Sequence, residues 1–257
     1  MAIKKTQHPK GLTFQRYYTT TNTPVFDMFE YDYRSSVIRN PNGEVVFEMK
    51  NVEVPSHWSQ IATDILAQKY FRRAGVPQFD AEGKPLMNAD GTPVTGAERS
   101  IRQVAHRLAG CWRAWGEDHG YFKTAADAQA FYDEIAYMVL RQMAAPNSPQ
   151  WFNTGIAWAY GITGTAQGHW FVDPKSGEMT QSTDAYTHPQ PHACFIQSVK
   201  DDMLNEGGIF DLVTREARIF KYGSGTGTNF SSLRAEGERV AGGGAASGVM
   251  SFLKIND

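Results

Sequence analysis

The chain changes texture at Pro146, and that change constrains its fold more than any other feature. Before it, apolar residues recur at helical spacing. Ile101, Val104, Ala105, Leu108, Cys111, Trp112 and Trp115 form one stripe of an amphipathic helix. A second helix is expected from Thr124, with Asp127 as a capping signal and a stripe of Phe131, Ile135, Met138 and Val139 that stops before Pro146. The segment from Trp58 to Arg73 carries Ile61, Ile65, Leu66 and Tyr70 and predicts a third. From 147 onward the chain reads as short strands, glycine-rich turns and one clear helix. Cys194 to Val199 suits a strand, and Ile209, Leu212, Val213, Ala217 and Phe220 form the helix stripe. Gly223, Gly225 and Gly227 are expected to end that helix and open a loop. Ser247 can cap a last helix, interrupted at Asp257 without a C-cap, which argues for truncation.

Ahead of the helices, residues 1 to about 30 show no sustained period and read as an arm or adhering extension. Val37-Ile38-Arg39 and Val45-Val46-Phe47 flank Asn40-Pro41-Asn42-Gly43, a β-hairpin signal. The stretch from Asp80 to Gly96 reads as an exposed loop or hairpin excursion. The expected domains are an extension with a hairpin over 1–57, a mainly helical domain over 58–146, and an α/β region over 147–257.

With 257 residues, 41% of them apolar and 20% charged, the chain can bury a sizeable core. A net charge of -2 gives no reason to expect nucleic acid or an anionic membrane as partner. No run of 18 apolar residues suggests a spanning helix. The stretch from Met1 to Pro9 has basic residues without an apolar segment behind them, which argues against secretion. Cys111 and Cys194, 83 residues apart, are no disulfide framework. A reducing cytoplasm is the expected compartment.

The residues that could carry chemistry each have two readings. Gly223 to Gly227 follows a helix, unlike a dinucleotide fingerprint, so it serves tight turns or a phosphate loop. Gly242-Gly243-Gly244 could aim N–H groups at a phosphate or be a flexible connector. Cys194 is either a small buried apolar residue or, with His192 on the same strand face, half of a thiolate pair. Cys111 reads as core, Asp201-Asp202 as a solvated turn, and the seven histidines lack metal-ligand spacing.

Three phrases add to this. Asn147-Ser148-Pro149-Gln150-Trp151-Phe152-Asn153-Thr154-Gly155 is followed by Pro191-His192-Ala193-Cys194-Phe195 and then by Lys221-Tyr222-Gly223-Ser224-Gly225-Thr226-Gly227. In that order and spacing the chain resembles the nucleotide-binding half of a ribonucleotide reductase, with wording closest to the adenosylcobalamin-dependent, class II enzymes. The resemblance implies an α/β fold in which a mainly helical N-terminal domain precedes the first part of a ten-stranded α/β barrel. It implies that Ser148, Ala193, Cys194 and Gly225 contact a ribonucleotide substrate, with Cys194 one of two reducing thiols. Asp202, Lys221, Arg234, Ala241 and Gly242 match a specificity site for a deoxynucleotide or ATP effector. The implied chemistry starts from homolysis in adenosylcobalamin, passes through a thiyl radical, and ends with a disulfide that a thioredoxin-like or glutaredoxin-like reductant reopens.

The resemblance also implies what is missing. The radical cysteine, the second redox cysteine and the cobalamin-contacting strands would belong to a C-terminal remainder of the reductase. The chain alone is then expected to reduce nothing and to bind cobalamin poorly. The wording favours a diphosphate substrate, no metal site is expected, and a homodimer suits the complete enzyme. A non-catalytic nucleotide-binding regulatory module is the alternative.

Overall fold

A computed structural model describes residues 11–80, 82–166 and 168–256. Residues 1–10 of the expected extension, and the chain's end at Asp257, lie outside them. The described residues up to 146 together with 150–189 form one compact unit, and 147–149 with 190–256 form a second.

In the first unit the arm adheres to the helices as expected. Phe14 packs edge-on against Phe122 and Phe131, and Arg16 pairs with Asp133 at 2.6 Å. The hairpin is Tyr31–Arg39 (β1) and Val45–Pro55 (β2), with Val52 and Val54 fully buried near its base. The excursion after it is held by the short antiparallel pair Val76–Pro77 (β3) and Thr95–Gly96 (β4). Gly83 and Gly91 take left-handed φ at its two turns.

Helix α1, Gln60–Ile65, is capped by the Ser59 hydroxyl and runs on as a π turn, Leu66–Tyr70. The buried face is formed by Thr63, Leu66 and Ala67. Ile61 and Ile65, expected on the buried stripe, are 72% and 45% exposed. Helix α2, Ile101–Asp118, starts from a Ser100/Gln103 capping box and buries Ile101, Val104, Ala105, Leu108 and Cys111 as its period required. Helix α3, Ala125–Leu140, starts where Thr124 accepts from the Asp127 N–H at 3.1 Å. It buries Ala128, Ala136, Val139 and Leu140, while Phe131, Ile135 and Met138 stay half-buried beside the arm. Two short helices follow Pro146 that its turn signals conceal: α4, Ser148–Asn153, and α5, Ile156–Tyr160. Neither is long enough to show a period. Trp170–Val172 (β5) and Met179–Gln181 (β6) close this part as an antiparallel pair.

One buried ion pair ties these pieces together. Arg107 and Glu98 are fully buried, with Nε and Oε1 2.7 Å apart. Arg107 also donates to the carbonyls of Trp151 and Thr154, and Glu98 accepts from the Tyr160 hydroxyl and the Arg72 N–H. A buried pair is stabilising only when its remaining hydrogen-bonding capacity is satisfied, and here it is well supplied.

The second unit is a strand–helix–strand crossover. Cys194–Ser198 (β7) runs parallel to Gly225–Asn229 (β8), and Ile209–Lys221 (α6) connects them. Val249–Asn256 (α7) ends the described chain, and Gly248 before it takes φ +79°. The ten-stranded barrel is not formed: among the described residues the named strands pair in four two-stranded sheets. The glycine run expected to open a loop is itself a strand from Gly225, with Gly223 at φ +85° ending α6. The helix stripe also shifts. Ile209, Leu212 and Glu216 are buried, whereas Ala217 and Phe220 face solvent.

Candidate functional site

The β7–β8 register brings three of the singled-out residues together. Cys194 pairs with Gly225, and the Gly225 N–H donates to the Ala193 carbonyl at 2.6 Å. Partners in a parallel pair point to the same face, so Cys194 and Ile196 share one face with Gly225 and Gly227. The burial pattern agrees: His192, Cys194, Ile196 and Ser198 are exposed, alternating with half-buried Phe195 and Gln197. Cys194 is thus a free, exposed thiol and not the small buried residue its apolar context suggested. A Cβ at Gly225 would lie 3.9 Å from its Sγ, and one at Gly227 would meet nothing within 4 Å. The strand beside the thiol is bare backbone.

His192 precedes β7 and packs its ring against Phe195, and its Nδ1 sits 3.1 Å from Gln190 Oε1. Its carbonyl accepts from the buried Ser224 hydroxyl at 2.5 Å, which pins the start of β7 to the start of β8. The other thiol has a different setting. Cys111 is buried within α2, and burial pushes its pKa up to about 12. It is a core residue.

The expected substrate hydroxyl, Ser148, is half-buried at the first position of α4, and its backbone groups with the second unit. The effector candidates divide into three places. Asp202 lies in the turn after β7, where the Asn205 side chain and the Asn205 and Leu204 N–H groups donate to its carboxylate and hold its pKa below the usual range. Next to it, Asp201 pairs with Arg234 at 2.5 Å. Lys221 lies at the opposite end of α6, about 18 Å along a helix of this length. Ala241 and Gly242 occupy an exposed turn in which Val240 donates to Gly244 and Gly243 to Val240, so part of its N–H supply is spent internally. Within this chain Lys221 therefore does not join Asp202 and Arg234. Among the described residues no group of three or more His, Cys, Asp or Glu could hold a metal ion, and no helix is long and apolar enough to cross a membrane.

Two features of this site escape a first reading of the sequence. Glu216 is buried against β8 and accepts from the hydroxyls of Thr226 and Thr228 at 2.8 and 2.9 Å. The alternation Gly225-Thr226-Gly227-Thr228 was the available signal, a period of two that marks a strand with one bare face.

The sequence matches known proteins along most of the chain. Residues 32–142 match the family described as class II vitamin B12-dependent ribonucleotide reductase, and residues 192–257 match the ribonucleotide reductase barrel domain. Both descriptions are of ribonucleotide reductases. Vitamin B12-dependent ribonucleotide reductases of Bradyrhizobium diazoefficiens and Agrobacterium fabrum are 55% and 53% identical to it, each over 96% of this chain. That of Rhodopirellula baltica is 38% identical over the same share. The chain belongs to the vitamin B12-dependent, class II ribonucleotide reductase family. It spans 21% of the length of the first two relatives and 22% of the third.

The family implies cobalamin, and the described strands do not suit it by themselves. A corrin is a broad, amphiphilic disc that needs an extended bed. The face carrying Cys194 is two strands wide, and its one large apolar side chain, Ile196, stands 92% exposed.

Proposed function

We propose that this chain supplies the substrate floor and one reducing thiol of a ribonucleoside-diphosphate reductase, and that it acts when joined to the remainder of such an enzyme. The observation that supports this best is the exposed Cys194 thiol in register with Gly225, beside backbone that no side chain covers. A flat ribose could approach that surface closely. Ala193 and Gly225 would line it, and the Ser148 hydroxyl would hydrogen-bond the substrate.

In this role Cys194 and a second thiol give up two electrons and two protons to the 2′ position of the ribonucleotide. The C–OH bond breaks, water leaves, a C–H bond forms, and the two sulfurs end as a disulfide. Buried Cys111 cannot be that second thiol, so the partner belongs to the remainder, together with the radical cysteine and the site for adenosylcobalamin. A thioredoxin-like or glutaredoxin-like dithiol returns the pair to its reduced form. Asp202 and Arg234 with the Ala241-Gly242 turn would form part of a specificity site for a deoxynucleotide or ATP, and Lys221 would serve it from another direction. Charge-assisted bonds from Arg to phosphate suit that task.

The test is Cys194→Ser in the chain joined to a C-terminal reductase remainder. Multiple-turnover reduction is lost while nucleotide binding persists. Full multiple-turnover activity with the dithiol reductant would remove the assignment.

A further inference from the structure

Adjacent residues on α6 grip the two strands of the site separately. Arg215 donates from Nη1 to the Gln197 side chain at 3.0 Å, on β7. Glu216 accepts from Thr226 and Thr228 at 2.8 and 2.9 Å, on β8. Gln197, Thr226 and Thr228 all point toward the helix, away from the face of Cys194. Glu216 is only 7% exposed, so its carboxylate is a costly group to place there unless it is hydrogen-bonded.

From this geometry we infer that Glu216 is a positioning residue for the reduction, acting through Thr226 and Thr228 to fix which face of β8 is turned toward the substrate. The inference rests on the proposed role of Cys194. Strand β8 needs such a device because its other face carries Gly225 and Gly227, which give packing nothing to hold. A side-chain period of two means that a slip of one residue would put Thr226 or Thr228 beside the thiol and a glycine against the helix. With two threonine hydroxyls bound to one carboxylate, only the observed register satisfies all three groups. Removing the carboxylate loosens β8, and small displacements of a reacting surface reduce rate steeply.

The experiment uses the chain joined to the reductase remainder and compares four variants and one combination of them. Glu216→Leu keeps volume and removes the acceptor; Thr226→Val with Thr228→Val removes the donors and keeps the strand-forming shape. Leu212→Ala destabilises α6 from its apolar side and serves as the structural control. Cys194→Ser reports on the underlying reading. The expected result is a fall of roughly tenfold or more in kcat for Glu216→Leu, with KM little changed, and a similar fall for the double threonine variant. Combining the two sets costs no more than either alone, since both break one interaction. Leu212→Ala lowers Tm by as much yet keeps kcat. Should Leu212→Ala lose as much kcat as Glu216→Leu at an equal loss of Tm, or should the combined variant show multiplied losses, the positioning role is overturned while the role of Cys194 stands. If Cys194→Ser itself turns over normally, both fall together.

Discussion

Arg107 shows at the scale of one residue how a charge can be placed in a core. Its guanidinium meets the Glu98 carboxylate and two carbonyls of the α4–α5 region, and Tyr160 and the Arg72 N–H complete the carboxylate's shell. Burial and the neighbouring Glu98 charge both push the Tyr160 hydroxyl's pKa up, so it stays a donor. Arg107→Met should cost about 3–5 kcal/mol in urea unfolding, because it strands Glu98 and two carbonyls without partners. A loss below about 1 kcal/mol would show that the network adds little. The sequence did not reveal this pair, since Glu98 lies outside the helical stripe and Arg107 has the outward look of a surface residue. The two cysteines were half legible. The helical period placed Cys111 in the core, whereas the exposure of Cys194 depends on β8 lying beside it, and that follows only from tertiary pairing.

Elements carry a second lesson, in which period decides what can be read. Helices α2 and α3 were legible because caps and stripes agree. The π turn after α1 was not, since one altered winding rotates every later side chain. Strand β8 was hidden by its glycines, and its threonines were the overlooked half of the pattern. The arm is attached largely through carboxylates of α3, and this makes it sensitive to acid. The Thr124 hydroxyl and the Phe14 N–H hold Asp127 below the usual carboxylate range. Burial alone would raise Glu134, but donors from Thr19 and Tyr18 outweigh it and lower its pKa. Lowered folded-state values mean stability that is present above the unfolded pKa values of about 3.9 and 4.3 and is lost as pH falls through the folded ones. Hydrogen exchange of the Phe14, Tyr18 and Thr19 amides should therefore stay slow at neutral pH and lose protection, relative to the α2 core, below about pH 4. Protection that persists unchanged to lower pH would contradict this account of the arm.

The whole molecule spans about a fifth of the length of the reductases it matches. Its two units hold a mainly helical body and a strand–helix–strand crossover bearing the exposed thiol. A two-stranded parallel pair is too small to be stable alone, and here Ile209 and Leu212 of α6 form a buried cluster with Val199 and Leu233, against which Val249 and Phe252 of α7 pack. Its other face, with Cys194 and Ile196, is exposed. The family and the order of its motifs were legible in the sequence, because several phrases stand at fixed spacing. The pairing of the described strands into separate two-stranded sheets was not legible in the same way, since it depends on tertiary contacts. The most direct measurement is ribonucleotide reduction with adenosylcobalamin and a dithiol, by the chain alone and by the chain mixed with a C-terminal reductase remainder. Turnover in the mixture and none in the chain alone is the result this account predicts. No turnover in the mixture, with the chain folded and holding nucleotide, would contradict it and leave a regulatory nucleotide-binding module.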